Sequence, residues 1–263
     1  MNGPEQRTDE RPAVAGAEPL VTIVAVHGDS ASAARFDRVT PHLPDGVRLV
    51  PVTLPGFGGT PALGDGTVTD HAARLAERIG GLTGPVVVLG HGLGGTVAIE
   101  IGQRHGDACA GLVLHAPAIP DGRGRAELRA GSLPPLSRVV NAASNVPFAA
   151  VAARAVAFRD LPADVVERAC EDLGRAEGSA ALAASADAAW YDALEPSSVP
   201  TVILWGDRDH WRGPASATGL AHRIGAGRVR VVSGWGHLPM LRRPRDYAVE
   251  IAQLARWVAT EAG

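Results

Sequence analysis

Six short apolar runs punctuate the chain, and between them the apolar positions fall into helical spacing. Residues 20–26 form a continuous, largely β-branched run, the pattern of a strand buried on both faces. Residues 47–54, 86–89, 111–115, 201–205 and 228–232 predict five more strands. In 31–43, Phe36, Val39 and Leu43 fall on one helical face, with Ser30 as a candidate N-cap. Residues 69–82 read as a helix with Leu75 and Ile79 inward, and 94–105, 214–224 and 244–261 as three further helices. Strands alternating with helices predict βαβ units and a mainly parallel sheet of six to eight strands.

The pattern changes over 118–197. No strand signal occurs there, only helical periodicity broken by Pro134, Pro135, Pro147, Pro162 and Gly178. This block is expected to be a helical insertion between two parts of one α/β core, residues 19–117 and 198–263, with 1–18 as a polar arm. Leu133, Leu136, Val139, Phe148, Val151, Phe158, Trp190 and Tyr191 are candidates for its inner face, and Trp190 and Tyr191 for substrate contacts.

Composition narrows the function class. Of 263 residues, 46% are hydrophobic and 20% charged, a globular profile. The net charge of −3 leaves no basic footprint for nucleic acid. All the basic residues are Arg, which reads as the codon bias of a GC-rich genome. Two cysteines, Cys109 and Cys170, do not make a disulfide framework and are expected to be reduced. The first residues lack an apolar core of the secretory kind, and 146–158 is too short and carries Arg154, so no membrane span is expected. The expectation is a cytoplasmic monomer or homodimer.

In parallel sheets the ligand sits beyond the carboxyl ends of the strands. The first strand is followed by His27-Gly28-Asp29 and the third by Gly90-His91-Gly92-Leu93-Gly94-Gly95. The fifth is followed by Gly206-Asp207-Arg208-Asp209, the sixth by Gly234-Trp235-Gly236-His237. These four turns, in this order, resemble the α/β-hydrolase superfamily in its capped, cofactor-free branch of esterases, lactonases, epoxide hydrolases and C–C hydrolases. The resemblance spans about residues 20–260. It implies an α/β-hydrolase fold with a helical cap, a catalytic His237 oriented by Asp209, and oxyanion-hole amides at Asp29 and Leu93. Asp207 is the alternative acid. His115, ending a strand beside the elbow, and Trp211, beside the acid, are further candidates for substrate contacts. No metal spacing, phosphate loop or dinucleotide fingerprint appears, so neither cofactor nor metal is expected.

One position departs from the family pattern. The nucleophile of its G-x-S-x-G elbow is replaced here by Gly92, which has no side chain to attack a substrate. The expected function is therefore non-covalent acid–base chemistry by a His–Asp dyad. It would act on a mid-sized hydrophobic carbonyl or ester compound of the natural-product kind, by elimination, cyclisation, C–C cleavage or water-mediated hydrolysis. Two alternatives stand beside it: a serine esterase or lactonase carrying an engineered serine-to-glycine replacement at position 92, and a ligand-binding protein on a hydrolase fold without activity.

Overall fold

The structure, a computed structural model, describes residues 21–120, 158 and 160–262. Six parallel strands form one sheet: β1 (Val21–Val26), β2 (Val47–Val52), β3 (Val86–His91), β4 (Gly111–His115), β5 (Thr201–Gly206) and β6 (Arg228–Val232), in spatial order β2-β1-β3-β4-β5-β6. The strand order reverses at β1, so β1 and β3 lie side by side with their loops diverging to opposite faces of the sheet. Such a switch point opens a crevice at the carboxyl ends. Register pairs Val26 with Gly90 and His91 with His115, which brings the first turn, the elbow and the end of β4 together.

Apolar side chains pack on both faces of the sheet, as the unbroken β-branched runs require. One face carries α1 (Val68–Ile79), α2 (Leu93–Arg104) and α6 (Ala215–Ile224), whose Leu75, Val97, Ile101 and Leu220 meet Val24, Val88 and Ile203. The other carries α8 (Pro244–Glu261), whose Tyr247, Ile251 and Val258 meet Val87, Val113 and Leu204. α1 starts on a capping box: Thr67 Oγ1 accepts from the Asp70 amide, and the Asp70 carboxylate accepts from the Thr67 amide at 3.0 Å.

The helix expected over 31–43 is instead two 3-10 turns, Ala33–Phe36 and Thr40–His42. Pro41 disfavours α geometry at Thr40, and the Ala33 amide is taken by the Thr53 hydroxyl at 3.0 Å. Ser30 has φ 50°, and the N-cap position falls to Ser32.

Between β4 and β5 the described residues form α3 (Ala163–Leu173), α4 (Ser179–Ser185) and α5 (Ala188–Asp192), with α7 (Pro239–Arg242) following β6. The arm at 1–18, Leu20, and Leu133, Leu136, Val139, Phe148 and Val151 lie outside the described residues. Among the described residues no helix is long and apolar enough to cross a membrane. Cys109 and Cys170 are free thiols, and burial raises the Cys109 pKa to about 11.

Candidate active site

β3 runs directly into α2 through Gly92, which takes φ 54° and ψ −119°. The turn is held on both sides: the Gly92 amide donates to the His115 carbonyl at 3.1 Å, and its carbonyl accepts from the Ala118 amide at 2.8 Å. Small residues are needed because the start of α2 presses on the end of β1 and on the residues after β4. A Cβ at Gly94 would drive into the His27 carbonyl, and one at Gly95 would come 2.8 Å from the Pro117 ring. A Cβ at Gly92 would stand 3.3 Å from the Gly28 Cα and 3.9 Å from the Asp29 amide nitrogen. Any group projecting from position 92 therefore faces the turn after β1.

His237 and Asp209 meet across the last two turns. His237 Nδ1 lies 2.7 Å from Asp209 Oδ2, and Asp209 Oδ1 accepts from the Trp211 and Arg212 amides, each at 3.0 Å. Burial raises the Asp209 pKa, but His237 and these two amides outweigh it, so the net shift is downward. Asp209 is thus an ionised acceptor that holds His237 with its Nδ1 proton directed at the carboxylate. Asp207, the alternative acid, is exposed and does a different job. It accepts from the Ser233 hydroxyl at 3.0 Å and the Gly234 amide at 2.6 Å, clasping the loop that carries His237.

The ring of His237 packs against two aromatic partners. Trp211 stacks on it at 5.1 Å and 25°, and the His91 ring meets it at 4.7 Å with a tilt of 51°. His91 Nε2 donates to the His237 carbonyl at 3.1 Å. Burial is the main cause that lowers the His91 pKa well below its ordinary value, so this ring is a neutral prop. His27 is another neutral prop: its Nε2 accepts from the Leu54 amide at 3.0 Å, fixing the loop after β2 to the first turn. Burial lowers its pKa to about 4.

Asp29 and Leu93 stand where the two oxyanion amides are expected. The Leu93 amide belongs to the first turn of α2, where no intrahelical carbonyl can take it. The Asp29 carboxylate is turned away to the hydroxyls of Ser30 and Ser179. One residue that sequence reasoning missed lies beside this turn. Arg35 is only 7% exposed, and its charge lowers the pKa of both His27 and His91. The available signal was a charged residue one turn before Val39 on an apolar face.

Three expected substrate contacts lie elsewhere. His115 is fully buried, with Nδ1 3.1 Å from the Tyr247 hydroxyl and its pKa lowered by burial to about 3. It is a core residue under the elbow. Trp190 donates from Nε1 to Glu100 at 2.9 Å, and Glu100 is eight residues along α2 from Gly92, about 12 Å at the helical rise. Tyr191 packs against Arg223 of α6, 5.5 Å from the ring. Trp190 and Tyr191 dock α5 on α2 and α6. Among the described residues, no cluster of His, Cys, Asp or Glu is arranged to hold a metal ion.

The family model described as the alpha/beta hydrolase family matches residues 23–250. The chain belongs to the α/β-hydrolase family. It is an enzyme of that fold with esterase relatives. The pimeloyl-[acyl-carrier protein] methyl ester esterase of Aromatoleum aromaticum is 31% identical to it, with 89% of this chain and 98% of the relative covered. A malate-bound thermophilic esterase from Thermogutta terrifontis superposes with a TM-score of 0.69 at 27% identity, covering 92% of each chain. A Ser-to-Gly variant of the N-acyl homoserine lactonase AidH, complexed with N-hexanoyl homoserine lactone, shares the fold with a TM-score of 0.69 at 20% identity, covering 91% of each chain.

Proposed function

We propose that this α/β-hydrolase hydrolyses an ester or lactone without a covalent intermediate. His237, held by Asp209, takes a proton from a water as its oxygen bonds to the substrate carbonyl carbon. The Asp29 and Leu93 amides receive the oxyanion of the tetrahedral intermediate. As the intermediate collapses, the bond to the alkoxy oxygen breaks and His237 returns the proton to it, leaving an acid and an alcohol. The room that a hydroxymethyl group would fill at position 92 is available to the water. Elimination, cyclisation or C–C cleavage would use the same base, but the esterase relatives favour ester hydrolysis.

The observation that carries this reading is the 2.7 Å Asp209–His237 contact, with both amides of the 211–212 turn fixing Asp209, beside a position that has no nucleophile. A pure binding protein needs no oriented base. The test is turnover of p-nitrophenyl and lactone substrates by the protein and by His237→Ala. General acid–base catalysis contributes on the order of 10²–10⁴-fold, and a loss of that size is expected. Equal rates for the two proteins would sink the proposal.

A second reading has one observation in its favour. The backbone at Gly92 keeps a turn whose side chain would point at the turn carrying the Asp29 amide. A serine esterase carrying glycine by replacement would look the same. In that case Gly92→Ser creates strong esterase activity where the protein itself has none.

A further inference from the structure

Trp211 is the second residue after Asp209 in the loop that follows β5, and it is 45% exposed. Trp205 and Trp235 are 0% and 4% exposed and belong to the apolar core. An indole left nearly half in water forgoes much of the stabilisation that its burial would give. Trp211 instead lies against the His237 ring, with centroids 5.1 Å apart and planes 25° from parallel. Asp209 sets both partners of this stack. Its Oδ2 lies 2.7 Å from His237 Nδ1, and its Oδ1 accepts from the Trp211 amide at 3.0 Å.

The His237 side chain is only 12% exposed, so a proton taken up there places a cation where water gives it little support. The titratable groups that act on it are Asp209 from the loop after β5, His91 from the end of β3 and His115 from the end of β4. Asp209 favours the cation. The two histidines are buried and disfavour a second charge beside them. Arg212, from the same loop as Asp209, turns its guanidinium to the Ile119 carbonyl at 3.3 Å. The face of an indole is the negative part of its quadrupole and attracts a cation within about 6 Å. The stack therefore strengthens when imidazole becomes imidazolium, and a contact that strengthens during the reaction is one that raises its rate.

We infer that Trp211 is a positioning residue that stabilises the imidazolium of His237 through its indole face. Its consequence for rate rests on the hydrolytic reading, whereas the stabilised cation does not. A contact of this kind at a partly exposed site favours the protonated ring by a factor of about 2–5, or about half a pH unit in its titration.

The experiment follows the histidine ring protons of the full chain by NMR as pH is varied, with His237→Ala identifying the His237 signal. Trp211→Leu keeps apolar cover over the ring and removes the π face, and Trp211→Phe keeps a weaker one. His237 should lose its proton at a pH lower by about half a unit in Trp211→Leu, with Trp211→Phe between that variant and the unaltered chain. On a p-nitrophenyl ester, Trp211→Leu should lower kcat by up to about 2–5-fold with KM little changed, and Trp211→Phe should restore part of the loss. The titration shifting as stated while no form turns over ester would fail the hydrolytic reading and keep the stack. A His237 titration that Trp211→Leu leaves in place or moves upward, equal effects of Leu and Phe, or a loss confined to KM would overturn the inference.

Discussion

Gly92 carries opposite demands of stability and chemistry, and replacing it separates them. With φ 54° and ψ −119°, the position is strained for any residue with a Cβ, at a cost of about 1–3 kcal/mol. The added Cβ would also stand 3.3 Å from the Gly28 Cα, tight enough that the first turn must yield slightly. Against this, losing glycine's freedom in the unfolded chain returns about 0.4–1 kcal/mol. Gly92→Ala should therefore destabilise the protein by a net of about 1–2 kcal/mol. At about 2–4 °C per kcal/mol for a chain of this size, calorimetry should show a Tm lower by roughly 2–8 °C. Gly92→Ser should fall by a similar amount, because the strain lies in the backbone. It should also gain a route through an acyl-serine, since the new hydroxyl would face the turn that carries the Asp29 amide. An unchanged or raised Tm for Gly92→Ala would refute the strain argument and the claim that glycine relieves it.

Asp209→Asn should leave the fold intact and lower kcat by on the order of 10²–10⁴, because an amide neither fixes the His237 tautomer nor stabilises the imidazolium; steady-state kinetics with a circular-dichroism control checks it. The buried, neutral His27 should make the protein acid-sensitive well above the carboxylate range. Its pKa falls from 6.5 to about 4 on folding, so below pH 6.5 the unfolded chain binds a proton that the folded chain does not. Stability present above pH 6.5 is then lost as pH falls to 4, by about 3 kcal/mol from this residue alone. Urea denaturation at pH 7 and pH 5 measures the slope, and His27→Gln, which can still accept from the Leu54 amide, should flatten it.

The sheet was legible because unbroken β-branched runs such as Val86–Leu89 have few structural options other than a strand buried on both faces. The turns carrying Gly92 and Asp209 were legible because each follows such a strand, and the turn carrying His237 because it follows the alternating Arg–Val run of the edge strand Arg228–Val232. Periodicity could not foresee that Thr53, some twenty residues away in sequence, would take the Ala33 amide and help replace a helix with two tight turns. Nor does an aromatic in an amphipathic helix declare what it packs against. Trp190 was expected over the pocket, but its indole N–H is drawn to the buried Glu100, which also accepts from Thr69 and Arg104. The choice between Asp207 and Asp209, two residues apart, is decided by geometry: one clasps the Ser233–Gly234 turn while the other reaches His237. Arg35 went unseen because a single charge on an apolar face reads as a solvated edge until its burial is known.

Rapid mixing of the protein with a p-nitrophenyl ester, followed by acid quench and intact-mass measurement within the first turnover, tests non-covalent hydrolysis by the Asp209–His237 pair most directly. The account predicts linear release of p-nitrophenol from the first milliseconds, no acyl adduct on the chain, and loss of the rate in His237→Ala. Gly92→Ser under the same conditions should show a burst of one p-nitrophenol per chain and a matching adduct. A burst or an adduct on the unaltered protein, or turnover only after serine is introduced, would contradict it.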